Sequence, residues 1–148
     1  MPARFLPVTP AEIDRVLAMM AQLYAHGDSP FDADRARKAT EKLLTEPQYG
    51  GVWTIDADGV LVGYIVVVLG YSVEFGGRFG LLDELFVAQS HRGNGLGREA
   101  LEFAEQQCKE RGWRALRLEV AQDNRRAQFL YRRSGFQMHD RFLMTKWV

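Results

Sequence analysis

Apolar residues recur first at a helical period, then at a period of two, then at a helical period again, so the chain predicts helices on both sides of a run of strands. Phe5 to Val8 reads as a short strand, and Thr9-Pro10 supplies an N-cap and first turn for a helix to about Tyr24. Ile13, Val16, Leu17, Met20 and Leu23 form its buried stripe. A loop with Gly27, Asp28 and Pro30 leads to a second helix from about Asp32 to Thr45. The period then changes. Val52 to Ile55 and Val60 to Leu69 flank Asp58-Gly59 as a hairpin, and Gly76-Gly77 turns into a strand from about Phe79 to Val87. Leu96 to Arg111 is helical, with Ala100, Phe103, Ala104 and Cys108 on one face and a stop at Gly112. Leu116, Leu118 and Val120 alternate as a strand, Asn124 to Ser134 is a helix stopped by Gly135, and Phe136 to His139 with Phe142 to Trp147 predict a closing hairpin.

Between the strand ending in Leu85-Phe86-Val87 and the helix beginning at Leu96 lies Arg92-Gly93-Asn94-Gly95-Leu96-Gly97-Arg98. Glycines at 93, 95 and 97 let the backbone approach a ligand closely and leave N–H groups free to converge on an anion, with the positive end of the helix dipole behind them. A pyrophosphate suits such a cradle. The spacing is not the dinucleotide fingerprint, because Arg98 stands where a third glycine is needed, and no Gly-Lys-Ser/Thr follows as a triphosphate loop requires.

A second pattern follows in Asn124, Ala127, Tyr131, Gly135 and Phe136. With both patterns present, the chain resembles the GNAT superfamily of N-acetyltransferases, whose acetyl-CoA loop reads Arg/Gln-x-x-Gly-x-Gly/Ala and whose later helix reads Asn-x-x-Ala-x-x-x-Tyr-x-x-x-Gly-Phe. The resemblance covers roughly residues 79 to 148. It implies an α/β fold with a mixed, mostly antiparallel central sheet of about six to seven strands, flanked by about four helices, with splayed central strands. It also implies that the first two helices line the acceptor site.

The implied chemistry moves an acetyl group from acetyl-CoA directly to a primary amine in a ternary complex. Backbone groups of Leu85, Phe86 and Val87 are expected to pair with the pantetheine arm like an added strand and to donate to the thioester oxygen. Arg92, Gly93, Asn94, Gly95, Leu96, Gly97 and Arg98 are expected to hold the pyrophosphate, and Asn124 to cap its helix while contacting the pantetheine. Tyr131 is the expected general acid toward the departing thiolate. An ammonium must first lose a proton, and Glu84 and Asp83 are the candidate bases. Because neighbours on a strand point to opposite faces, one of the two is expected to face the acceptor. Their Leu-Asp-Glu-Leu-Phe-Val stretch resembles that of spermidine/spermine N-acetyltransferases. Glu119 matches a position used as base in ribosomal-protein alanine acetyltransferases and ranks below them. Glu74 is a surface acid that could help bind a cation. The acceptor is expected to be a small amine, polyamine or amino acid; a protein or peptide amine, or a non-catalytic acyl-CoA sensor, is the alternative.

Composition narrows the partners. At 148 residues and 47% apolar, the chain has about the length of one domain, read as residues 1 to 148. With 19 basic and 19 acidic residues, no overall field recruits nucleic acid or an anionic membrane. The charges are unevenly spread: Met1 to Ser90 hold 7 Lys/Arg against 12 Asp/Glu, and His91 to Val148 hold 12 against 7. The basic half contains the anion cradle, and the acidic half is suited to a cationic co-substrate. Cys108 stands alone as a buried small residue, and His26, His91 and His139 are scattered, so no disulfide and no metal are expected. Ile65 to Leu69 is too short an aliphatic run to span a bilayer, and the expected location is the cytoplasm. In the architecture that the resemblance implies, exposed strand ends often pair between subunits, so a homodimer is expected.

Overall fold

The computed structural model describes residues 2–148. Strand β1 (Arg4–Pro7) leads to Thr9, whose backbone N–H and hydroxyl both donate to Glu12 Oε1, at 3.0 and 2.9 Å. A 3-10 turn at Pro10–Glu12 then opens α1 (Ile13–His26). Asp32 caps α2 (Ala33–Thr45) by accepting from the Arg35 N–H at 3.1 Å. Strands β2 (Gly50–Ala57), β3 (Val60–Ser72) and β4 (Gly77–Val87) follow, then α3 (Leu96–Glu110), β5 (Leu116–Leu118) and α4 (Arg125–Arg133). The sheet order is β1-β2-β3-β4-β5, antiparallel throughout except for the parallel β4–β5 pair.

Alternation along β3 divides the core in two. Tyr64 and Val66 point to one face, where Val52 and Phe86 join Val16, Leu17 and Met20 of α1. Ile65 and Val67 point to the other, where Leu82 meets Ala100, Ala104 and Cys108 of α3. The small residues of α3 bring its axis close to the sheet: a Cβ at Gly80 would lie 2.4 Å from Cys108 Sγ. Burial raises the Cys108 thiol pKa, so it packs as a neutral group. Among the described residues, no helix is long and apolar enough to cross a membrane.

The sheet has five strands, not the six to seven expected, because the hairpin predicted over Phe136 to Trp147 does not form and Val120 lies outside β5. The sheet edge that such a hairpin would extend is only the three-residue β5, and a two-stranded ribbon without a sheet to join is marginal in water.

Candidate active site

Strand β4 changes face in its middle. Opposite it on β3, Val67 pairs with Leu82 and Val66 with Glu84, so Asp83 has no partner and forms a β-bulge. Leu82 lies against α3, whereas Glu84 and Phe86 point toward α1 and α2. The extra residue also overturns the expectation that strand alternation would send the two acids to opposite faces. Asp83 and Glu84 both line a cavity of about 140 Å³ beneath α1 and α2, with Met20, Tyr24, Thr40 and Val66 around it.

Two tyrosines hold Glu84. The Tyr24 hydroxyl, from α1, donates to Oε2 at 2.5 Å, and the Tyr64 hydroxyl, from β3, donates to Oε1 at 2.7 Å. Burial and the adjacent Glu84 raise both phenol pKa values, so both stay protonated donors. Asp83 has no such donors. Partial desolvation, then the charges of Glu84 and Glu119, raise its carboxyl above the ordinary value of 3.8, although one flank remains open to solvent. The two neighbouring acids therefore differ in kind: Glu84 is fixed in place by two donors, and the Asp83 carboxyl is held above its own ordinary value without one.

On the other side of β4 the sheet opens. Pairing with β5 covers Gly80 to Leu82 and stops, while β4 runs on to Val87 still paired to β3. The edge of Asp83 to Val87 away from β3 thus faces a gap in the sheet. Beyond it, Gly93 and Gly95 adopt φ of 83° and 82°, a left-handed backbone that glycine takes at little cost. Gly95 is the N-cap of α3 and offers no side chain to its first-turn N–H groups. A Cβ there would meet nothing within 4 Å, so space stands open over the donors. These features fit the pyrophosphate of an acyl-CoA.

Of the cradle's cations, Arg92 turns back. Its Nε donates to the Val87 carbonyl at 2.8 Å and its guanidinium lies 5.9 Å from the Phe86 ring, which ties the loop to the end of β4. Arg98 is exposed, 3.9 Å from Glu102. Asn124 caps α4 through the Ala127 N–H at 3.1 Å, as expected. Tyr131 packs on the α3 side of the sheet, edge-on to Phe136 with centroids 5.9 Å apart, and burial raises its pKa. Among the described residues its hydroxyl has no hydrogen-bond partner. It is therefore not in the cavity with Asp83 and Glu84, which lies on the α1 and α2 side of the sheet. Glu119, one residue past β5, is exposed, and Glu74 pairs with Arg141 at 3.8 Å.

Two residues of this region were not singled out from the sequence. Tyr24 and Tyr64 become significant only through the β3–β4 register and the α1 packing. A polar-tipped residue inside the aliphatic strand Val62 to Val68 was the available signal. Arg126, one of the arginines of α4 that the sequence offers for the 3′-phosphate of CoA, has an Nη2 4.0 Å from where a Gly93 Cβ would be.

Comparison with known proteins agrees with this geometry. The model of the acetyltransferase (GNAT) family matches residues 16–136. Streptothricin acetyltransferase of Streptomyces lavendulae is 39% identical over 82 residues, which are 55% of this chain and 41% of that protein. The chain spans about a third to two fifths of the length of the curated relatives it matches. An integron cassette protein from the mobile metagenome of Cole Harbour Salt Marsh superposes with a TM-score of 0.85 at 32% identity, over 97% of this chain and 90% of that one. An aminoglycoside N-acetyltransferase in complex with CoA shares the fold at a TM-score of 0.83 and 16% identity, over 98% and 94% of the two chains.

Proposed function

The chain belongs to the acetyltransferase (GNAT) family, and from that premise we propose that it transfers an acetyl group from acetyl-CoA directly to a primary amine of a small cationic acceptor. The observation that carries this reading is the bulge at Asp83, which turns two carboxylates into one cavity beside the opened edge of β4. The cavity of about 140 Å³ is small against the ~300–1,000 Å³ of pockets that enclose whole drug-sized ligands, so it takes the amine-bearing arm of an acceptor.

In this reading the cradle from Arg92 to Arg98 holds the pyrophosphate, and the free edge of Leu85 to Val87 aligns the pantetheine as an added strand. Backbone N–H groups on that edge donate to the thioester oxygen as charge builds on it. Glu84, held by Tyr24 and Tyr64, attracts the ammonium, and Asp83 accepts its proton. The amine nitrogen bonds to the acetyl carbon as the carbon–sulfur bond breaks, and Tyr131 protonates the departing sulfur from across the gap. The similarity to streptothricin acetyltransferase supports a small-molecule acceptor.

The test is thiol release from acetyl-CoA by the purified protein, followed over polyamines, amino acids, aminoglycosides, streptothricin and short peptides. Release that depends on a small amine is the expected result. Release with peptides alone, or none with any acceptor while acetyl-CoA still binds, would overturn the reading.

A further inference from the structure

Strand β5 carries a single charged residue, and that residue lies on the acceptor face of the sheet. Leu116 and Leu118 pack into the cluster around α3, so Arg117 between them points the other way. Its register partner on β4 is Leu81, which precedes Leu82 of the same α3 cluster and so shares the opposite face. Phe79 lies on that face too, because the Cβ position of Gly80, one residue on, is directed at Cys108. Asp83 and Glu84 line the cavity farther along the same face.

The Arg117 guanidinium carbon lies 4.9 Å from the centre of the Phe75 ring and 5.7 Å from that of Phe79, and the two rings stand edge to face 5.4 Å apart. Aromatic contacts of this kind hold the planar group while leaving its N–H donors free. Among the described residues Arg117 has no ion-pair partner. Glu74, beside Phe75, is taken up by Arg141 at 3.8 Å, and Glu119, two residues past Arg117, is exposed. Arg117 is itself half-buried, so an anion arriving there meets less competition from water than at an exposed arginine. The acceptor face thus has two ends of opposite sign. Asp83 follows Phe79 by four residues, roughly 13 Å of strand, and half-buried Leu81 lies between them.

Given acetyl transfer to a small amine at this site, we propose that Arg117 sets the specificity by binding a carboxylate of the acceptor, and that the acceptor is a small diamino acid acetylated on its side-chain amine. The amine enters beside Asp83 and Glu84, the methylenes cross Leu81, and the carboxylate meets the guanidinium fork. An α-amine stands only about 2.5 Å from the carboxyl carbon of its own molecule, too close to serve both ends. A plain diamine fails differently. Its far ammonium is set against Arg117, and like charges reject it. The transfer itself is unaltered: the acetyl carbon leaves sulfur for the side-chain nitrogen, and Arg117 seats the far end of the acceptor.

The test compares lysine, lysinamide and cadaverine, which share one amine-bearing chain, as acceptors for thiol release from acetyl-CoA, with the acetylated nitrogen of lysine located by NMR. The expected result is a kcat/KM for lysine ~10–100-fold above the other two, the range of a charge-assisted pair, with acetylation on Nε. Arg117→Gln is expected to raise KM for lysine by that factor at unchanged kcat and to leave the three acceptors alike. Arg117→Lys keeps the charge without the fork and should recover only part of the preference. Cadaverine used as well as lysine, acetylation on Nα, or a variant that slows all three acceptors equally overturns the proposal and leaves acetyl transfer standing. If no small amine releases thiol, acetyl transfer to a small amine fails, and calorimetry decides the carboxylate site separately. Lysine bound in preference to cadaverine by the parent and not by Arg117→Gln upholds it; equal binding or none overturns it.

Discussion

Tyr64 donates its hydroxyl to Glu84 at 2.7 Å from a position where its own side chain is completely buried. A buried phenol that binds a carboxylate adds stability as well as orientation. Tyr64→Phe leaves the ring's packing intact and removes that bond, so it is expected to lower stability by ~1.5–3 kcal/mol, the range for hydrogen bonds to charged groups. Urea unfolding should show a lower midpoint at unchanged slope. Tyr24→Phe should cost less, since Tyr24 is only half-buried and Tyr64 would still hold Glu84.

Asp83→Asn is expected to separate activity from stability. If Asp83 is the base, kcat/KM for the amine falls by ~10²–10⁴-fold and its acid limb with pH disappears. Stability moves the other way. The folded protein holds the Asp83 proton more tightly than the unfolded chain does, because burial, Glu84 and Glu119 raise its pKa. Folding is therefore disfavoured as pH rises through the window from the ordinary carboxylate value up to the raised one, and stays so above it. The neutral amide escapes this, so thermal unfolding at pH 7 should show Asp83→Asn at least as stable as the parent. A loss of stability at pH 7 with the pH profile unchanged would remove Asp83 from the role.

The elements of this fold were legible because each rests on local signals. The Ile13 to Leu23 stripe, the Asp58-Gly59 turn and the Asn124 cap are decided within a few residues of where they stand. The turn before α3 was legible for the same reason, since Gly93 and Gly95 do adopt left-handed backbone. What strand alternation misassigned was Asp83 beside Glu84. A bulge is a property of a strand pair, and β3 and β4 meet in a register that neither strand carries alone. The tyrosine clamp on Glu84 was hidden likewise, because Tyr24 lies 60 residues from Glu84 and Tyr64 lies 20. The last hairpin was misread because alternation from Phe136 to Trp147 predicts a strand without saying which edge it joins.

The closeness of α3 to the sheet can be tested at Gly80. A methyl there would sit 2.4 Å from Cys108 Sγ and 3.2 Å from the Trp113 ring, so Gly80→Ala must push α3 away. The expected cost is ~1–3 kcal/mol, typical of overpacking in a dense core. Cys108→Ala removes the sulfur that the methyl strikes. In the double variant the two losses should therefore not add, leaving a coupling of ~0.5 kcal/mol or more. Additive losses would mean that α3 does not bear on β4 at this point.

Tyr131→Phe is the same chemical change as Tyr64→Phe with the opposite expectation. The Tyr131 hydroxyl has no partner among the described residues, so its removal should leave the urea midpoint unchanged. Its proposed work lies in turnover. Burial raises its pKa above the ordinary 10.0, which keeps the phenol protonated across the neutral range and places any alkaline limb it sets in the rate profile above that value. The variant should bind CoA with unchanged affinity by calorimetry and lose at least ~10-fold in kcat, toward the ~10²–10⁴-fold that a positioned acid contributes. A variant as fast as the parent would leave Tyr131 as a packing residue and pass protonation of the sulfur to solvent.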